Sequence, residues 1–228
     1  MATRRRKGGF FSDWRRVAVL AALGGVALAV AIILLLNLGG PKEPEEVVPN
    51  PVATITMSDG SQMRFTLYPD QAPNTVANFI KLANRGFYDG QQFFRIVAGV
   101  FIQGGDPQNN GTGDPGYAIK GEFADNGFPQ NTVSHMRGAI SMARPSGYDT
   151  AGSQFFIMQG SYPEYDGRYA AFGSIDASDT ASLDTLDAIG SQATDSTYLP
   201  LTRQVIATIR VETFEADYGD PETLEREP

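Results

Sequence analysis

The chain has 228 residues, 42% hydrophobic and 19% charged, with 18 basic against 26 acidic residues and a formal net charge of −8. That length and apolar content suit one sizeable globular domain plus an appendage, and exclude a disordered polymer. The absence of cysteine excludes disulfides, thiolate catalysis and thiolate zinc sites, and a single histidine, His135, leaves little for a histidine metal site or a Ser-His-Asp relay.

Residues 1–16, "MATRRRKGGFFSDWRR", carry Arg4, Arg5, Arg6, Lys7, Arg15 and Arg16 and read as a basic cytoplasmic N-terminus. Val17 to Leu36 then runs for twenty residues without a charge, the length a helix needs to cross a bilayer. A small-residue "ALAVA" at 27–31 lies mid-run, with "IILLL" still to follow. Cleaved signals have apolar cores of only roughly 7–15 residues, so 17–38 is predicted to be an uncleaved transmembrane signal anchor, single-pass, with the remainder extracytoplasmic. No cysteine adjoins the run, which argues against a lipid-anchored precursor. The first 38 residues hold 6 of the 18 basic and 1 of the 26 acidic residues, leaving the rest with 12 basic, 25 acidic and a net of −13. Such a domain avoids nucleic acid and anionic headgroups; ordinary solubility on the outer face accounts for the charge.

The segment 39–51, "GGPKEPEEVVPNP", reads as a Pro/Glu-rich extended linker. Structure is predicted to begin with a β-hairpin, 52–57 and 62–68, turning at Asp59-Gly60. A helix follows in "APNTVANFIKLANRGFYDG", capped by Asn74 or Thr75, with Val76, Phe79, Ile80 and Leu82/Ala83 at helical spacing and Gly86 as its stop. Short strands are expected at 93–97, 100–103, 138–142, 154–158 and 170–174, and a second helix at 179–191 with Leu183, Leu186 and Ile189 as its stripe. A long strand at 202–214 closes the domain, and 215–228 reads as an acidic, frayed tail. Many short strands without regular β-α alternation predict a mainly β barrel or sandwich.

Within "FFRIVAGVFIQGGDP" (93–107), Arg95 and Gln103 interrupt an apolar strand. A buried guanidinium needs a partner or a use. One reading pairs Arg95 with a carboxylate such as Glu122 or Asp106. The other joins two strands at Gly99 and presents Arg95, Phe101 and Gln103 on one surface, Arg95 sharing its side with Phe93 and Val97. Plentiful Asp and Glu give no specific pair for a carboxylate hydrolase.

Three stretches, 93–106, "GAISMARPSGYDTAGSQFFIM" (138–158) and "YDGRYAAFG" (165–173), together resemble the cyclophilin family of peptidyl-prolyl cis-trans isomerases, from about Val52 to Phe214. The resemblance implies a closed eight-stranded antiparallel β-barrel capped by two α-helices over 52–214, with a proline-binding groove on its outer surface and no metal or cofactor. Arg95 matches the family's catalytic arginine and Gln103 the glutamine that orients it. Val100, Phe101, Met142, Phe156, Tyr165 and Tyr169 fall around the proline pocket, and Ala143, Arg144 and Gln154 along the edge that holds the residues before proline. Val100 and Phe101 stand where Phe and Met are usual, Arg144 replaces the usual Asn, and Tyr169 occupies the place of a common His. Glu164 sits near a usual Trp, so weak cyclosporin binding is expected. His135 matches a position outside the active centre. Taken with the predicted anchor, the resemblance implies a monomeric isomerase acting on Pro-containing, newly exported polypeptides; the alternative is a catalytically weak proline-peptide-binding or chaperone module using the same groove.

Overall fold

The computed structural model describes residues 48–226, so the predicted basic segment, the anchor and most of the linker lie outside the described residues. Among the described residues no helix is long and apolar enough to cross a membrane. The first hairpin forms as expected: β1 (Val52–Met57) pairs antiparallel with β2 (Gln62–Leu67). Their alternation buries Ala53, Ile55, Met57, Met63, Phe65 and Leu67 on one face. Gly60 takes φ 88° in the turn, where a side chain would be strained.

The remaining strands are β3 (Gln92–Phe93), β4 (Arg95–Val97), β5 (Phe101–Gly104), β6 (Ala139–Met142), β7 (Phe155–Met158), β8 (Ala171–Ser174) and β9 (Gln204–Glu212). They form one antiparallel sheet in the order β3-β9-β1-β2-β8-β6-β7-β5-β4. The end strands β3 and β4 are separated in the chain by Phe94 alone, so the sheet curls into a nearly closed barrel. The expected eight strands are therefore nine, because the predicted strand 93–97 splits. Its first half pairs with β9 and its second with β5. The same break cancels the expected parity: Phe93 faces the interior, fully buried, while Arg95 does not.

Helix α1 (Pro73–Asn84) closes the barrel, its Phe79 ring lying 5.1–5.6 Å from the rings of Tyr88, Phe155 and Phe172. Neither Asn74 nor Thr75 caps it. The N-cap is Ala72, and the backbone N–H groups of Asn74 and Thr75 donate to the carboxylate of buried Glu122 at 3.0 and 2.7 Å. Helix α2 (Thr180–Gly190) buries Leu183, Leu186 and Ile189 as predicted, and Asp179 caps it by accepting from the Ser182 N–H at 3.1 Å. The tail is pinned across its described part, to residue 226, rather than frayed. Leu224 and Ala118 exchange backbone bonds of 2.7 and 3.0 Å, Glu222 and Asn74 bond reciprocally, and Asp220 meets Lys81 at 2.7 Å.

Candidate active site

The site follows from strand register. On the outer face of the barrel, Ser141, Phe156, Gln103 and Arg95 are directly opposite one another across β6, β7, β5 and β4. Phe101 pairs with Val97 on one side and Met158 on the other, making a second row. The alternate residues Ile96, Ile102, Ile140, Phe155 and Ile157 turn into the core. The face that carries Arg95 is thus apolar but outside the main core, which is why a cation fits in so hydrophobic a strand.

Both carboxylates considered for Arg95 are occupied elsewhere. Glu122 caps α1, and fully buried Asp106 accepts the backbone N–H groups of Gln108, Asn110 and Gly111, fixing the loop after β5. Among the described residues Arg95 makes no ion pair. Its guanidinium lies 5.0 Å from the centroid of Phe101 and 5.7 Å from that of Tyr198, and Nη1 donates to Gln103 Oε1 at 3.3 Å. The relay continues in one sense, since arginine only donates. Gln103 Nε2 donates to Gln154 Oε1 at 3.0 Å, and Gln154 Nε2 to the Gly113 carbonyl at 2.9 Å. Two glutamine side chains, anchored on a backbone carbonyl, thereby hold this cation at the edge of a recess.

That recess, about 270 Å³, is lined by Arg95, Phe101, Gln103, Ala143, Arg144, Phe156, Tyr165 and Tyr169, all anticipated from the sequence. A neighbouring recess of about 300 Å³ shares Gln103, Ala143 and Arg144 and adds Gln154. Phe156 forms the floor, with Phe101 tilted against it at 5.5 Å and Tyr169 and Tyr165 edge-on at 5.4 and 6.1 Å. Burial pushes the Tyr165 phenol up from its ordinary value, with Tyr169 and Glu164 adding to the rise, so it stays a neutral hydroxyl.

Two anticipated residues, Met142 and Val100, lie outside the recess, and a third, Arg144, lines it with its charge already engaged. Met142 is buried in the main core, because β6 alternates and puts it on the same side as Ile140. Val100 lies in the turn before β5 and packs on the flank of the Phe101 cluster, outside the recess. Arg144 lines both recesses, but its guanidinium is engaged. It donates to the carbonyls of Pro145, Ser146, Gly147 and Arg168, and sits 4.9–5.1 Å from the rings of Phe123, Tyr148 and Tyr169. It ties the 145–148 loop to the pocket wall.

Sequence reasoning missed Tyr162, Tyr198 and the part played by His135. Tyr162 stacks on Tyr165 at 6.1 Å, and its spacing of three from Tyr165 was a usable signal. Tyr198 comes from a distant loop that no local pattern ties to Arg95. His135 stacks under Phe156 at 5.9 Å and is fully enclosed. Its Nδ1–H donates to Asp166 at 2.9 Å, which leaves Nε2 to accept from the Ser141 hydroxyl at 3.0 Å. Burial lowers the His135 pKa against the opposing pull of Asp166.

The sequence profile of the family described as cyclophilin type peptidyl-prolyl cis-trans isomerase matches residues 52–211. The chain is 49% identical over 119 residues to peptidyl-prolyl cis-trans isomerase B of Bacillus subtilis, covering 52% of this chain and 79% of that one. It is 43% identical over 139 residues to a peptidyl-prolyl cis-trans isomerase of Helicobacter pylori, covering 61% and 81%. A cyclophilin-type isomerase of Cryptosporidium parvum, solved in the presence of the dipeptide Ala-Pro, superposes with a TM-score of 0.61 at 30% identity, covering 71% of this chain and 98% of that one. The unpaired arginine above an aromatic floor, on this barrel and with these relatives, makes the chain a member of the cyclophilin-type peptidyl-prolyl cis-trans isomerases.

Proposed function

We propose that this isomerase accelerates X-Pro rotation in exported polypeptides, with Arg95 stabilising the twisted amide. Rotation passes a barrier of roughly 20 kcal/mol because amide resonance is lost. As the bond twists, the prolyl nitrogen pyramidalises and gains a lone pair. A donor cation beside that nitrogen binds the twisted form better than either planar form, which is the condition for catalysis. Neither nucleophile nor cofactor enters this scheme. The pyrrolidine ring packs on Phe101 and Phe156, the residues before proline lie along Ala143, Arg144 and Gln154, and Gln103 keeps Arg95 aimed. The observation that carries this reading is that, among the described residues, Arg95 has no carboxylate partner at the rim of the recess.

Tethering rests on the sequence: 17–38 anchors the chain and 39–51 spaces the domain from the bilayer. Sedimentation with membranes, and protease accessibility from outside the cell, test it. Glu164 is exposed on the turn beside Tyr165 and supplies no indole, so cyclosporin binds weakly, which a titration checks.

A proline-peptide assay on the wild type and Arg95→Ala tests the mechanism. Losing the donor lowers kcat/KM by about a hundredfold, on the scale of one transition-state donor, with peptide binding retained. Equal activity of the two proteins refutes the role of Arg95. Absence of turnover in the wild type, with binding intact, favours a peptide-binding module.

A further inference from the structure

Beside Arg95 lies another recess, of about 450 Å³, lined by Phe94, Arg95, Gln103, Asn109, Thr197 and Leu199 among others, and sharing Gln103 and Gly111 with the Gln154 recess. Its outer wall is the loop 194–200, which is built to hold one shape. Asp195 Oδ1 accepts from the Thr197 N–H at 2.8 Å and from the Leu199 N–H at 3.1 Å. Its own N–H donates to the Leu199 carbonyl at 2.9 Å, and a bridge joins Thr194 to Pro200. The loop is stitched to β4, since the Ile96 N–H donates to the Tyr198 carbonyl at 2.9 Å.

Tyr198 at its tip has φ 68°, a region that residues with a Cβ avoid. Strain held by surrounding bonds gathers at working sites. Here it lays the Tyr198 ring against the Arg95 guanidinium, which also meets Phe101. It also leaves apolar surface in water beside the site: Tyr198 and Leu199 are 47% and 40% exposed.

We propose that the 194–200 loop forms a specificity subsite, in which Leu199 and Phe94 take an apolar side chain on the residue following proline while Tyr198 positions Arg95. The inference rests on the isomerase reading, which lays the residues before proline along Ala143 and Gln154. A chain running that way past Gln103 brings its next residue over Arg95 into this recess. The recess adjoins the proline pocket, with Arg95 and Gln103 lining both, and its apolar lining of Phe94 and exposed Leu199 suits a leucine-sized group.

The test uses the full chain and two pairs of peptides, Leu against Gly after the proline and Leu against Gly before it. Exchange NMR gives turnover without a coupling protease whose own preferences would intrude. The wild type favours Leu after proline by about tenfold, the worth of a partly buried apolar side chain. Leu199→Ser reduces that ratio to about twofold or less, leaving less apolar wall for the side chain. Tyr198→Gly, which suits the left-handed backbone, lowers kcat on every peptide, and Tyr198→Phe restores it.

A wild type with no preference after proline, or a preference kept in Leu199→Ser, overturns the subsite. Unchanged kcat in Tyr198→Gly overturns the positioning. Dissociation constants of the same peptides supply the ratio independently. Lost turnover with that ratio intact counts against the isomerase mechanism and for the subsite.

Discussion

Replacing His135 by Phe tests how the pocket floor is held. The ring of His135 joins three pieces of the site: Asp166 on the turn that carries Tyr165 and Tyr169, Ser141 on β6, and Phe156 above it. Phenylalanine keeps a ring for stacking but neither hydrogen bond. The bond to the Asp166 carboxylate is lost, and the Ser141 hydroxyl, with no exposed surface, loses its acceptor. Losing a bond to a charged acceptor and leaving a buried hydroxyl unpaired costs about 2–4 kcal/mol together. The His135 N–H of the backbone still donates to Asp166 at 2.7 Å, so the turn loosens without leaving.

The assays are urea unfolding and peptide kinetics. Stability falls by that amount, KM rises about three- to tenfold as the aromatic wall loosens, and kcat changes little because Arg95 and Gln103 are untouched. A pH series adds a sign. Burial holds the His135 pKa below the ordinary value of 6.5, so below pH 6.5 the unfolded chain binds more protons than the folded one. This histidine's contribution is therefore full above 6.5 and is lost as pH falls through the lower folded value. The Phe variant lacks that component. An unchanged unfolding midpoint and KM in His135→Phe, or the same acid slope in both proteins, would mean that the imidazole does not hold the floor together.

Glu122→Ala strips two helix N–H groups, one of them fully buried, of their acceptor and destabilises the domain by about 2–4 kcal/mol, while Glu122→Gln loses about half of that; thermal unfolding separates them. Arg144→Asn supplies the residue usual in the family but frees the 145–148 loop. It lowers stability by about 1–3 kcal/mol from lost carbonyl bonds and ring contacts, with hydrogen exchange rising at Gly147 and Tyr148; protection unchanged there would show that the guanidinium holds nothing.

The outer rows of side chains are legible in the sequence. Period-two alternation in 95–97, 101–103 and 154–158 sets which residues can share a face, so Arg95, Phe101, Gln103 and Phe156 meet once the strands pair, whereas the break at Phe94 that turns Phe93 inward carries no local signal. The α2 stripe of Leu183, Leu186 and Ile189 is legible for the same reason at helical period. Met142 is misassigned because proximity in a motif says nothing about which face a residue takes; its alternation with Ile140 decides that.

What the residue order carries unaided is local: strand and helix periods, the Asp59-Gly60 turn, and a cation lodged in an apolar strand. Partnership at a distance emerges only when the barrel closes. Glu122 stands 47 and 48 residues from the helix N–H groups it caps, and Tyr198 reaches Arg95 from the far side of the chain. Charge shows the same division. Arg95 and Arg144 are identical as letters, yet among the described residues one guanidinium makes a single side-chain hydrogen bond and the other is enclosed by carbonyls and rings. Backbone periodicity is set within a few residues, whereas the surroundings of a charge are set by whatever the closed barrel brings beside it.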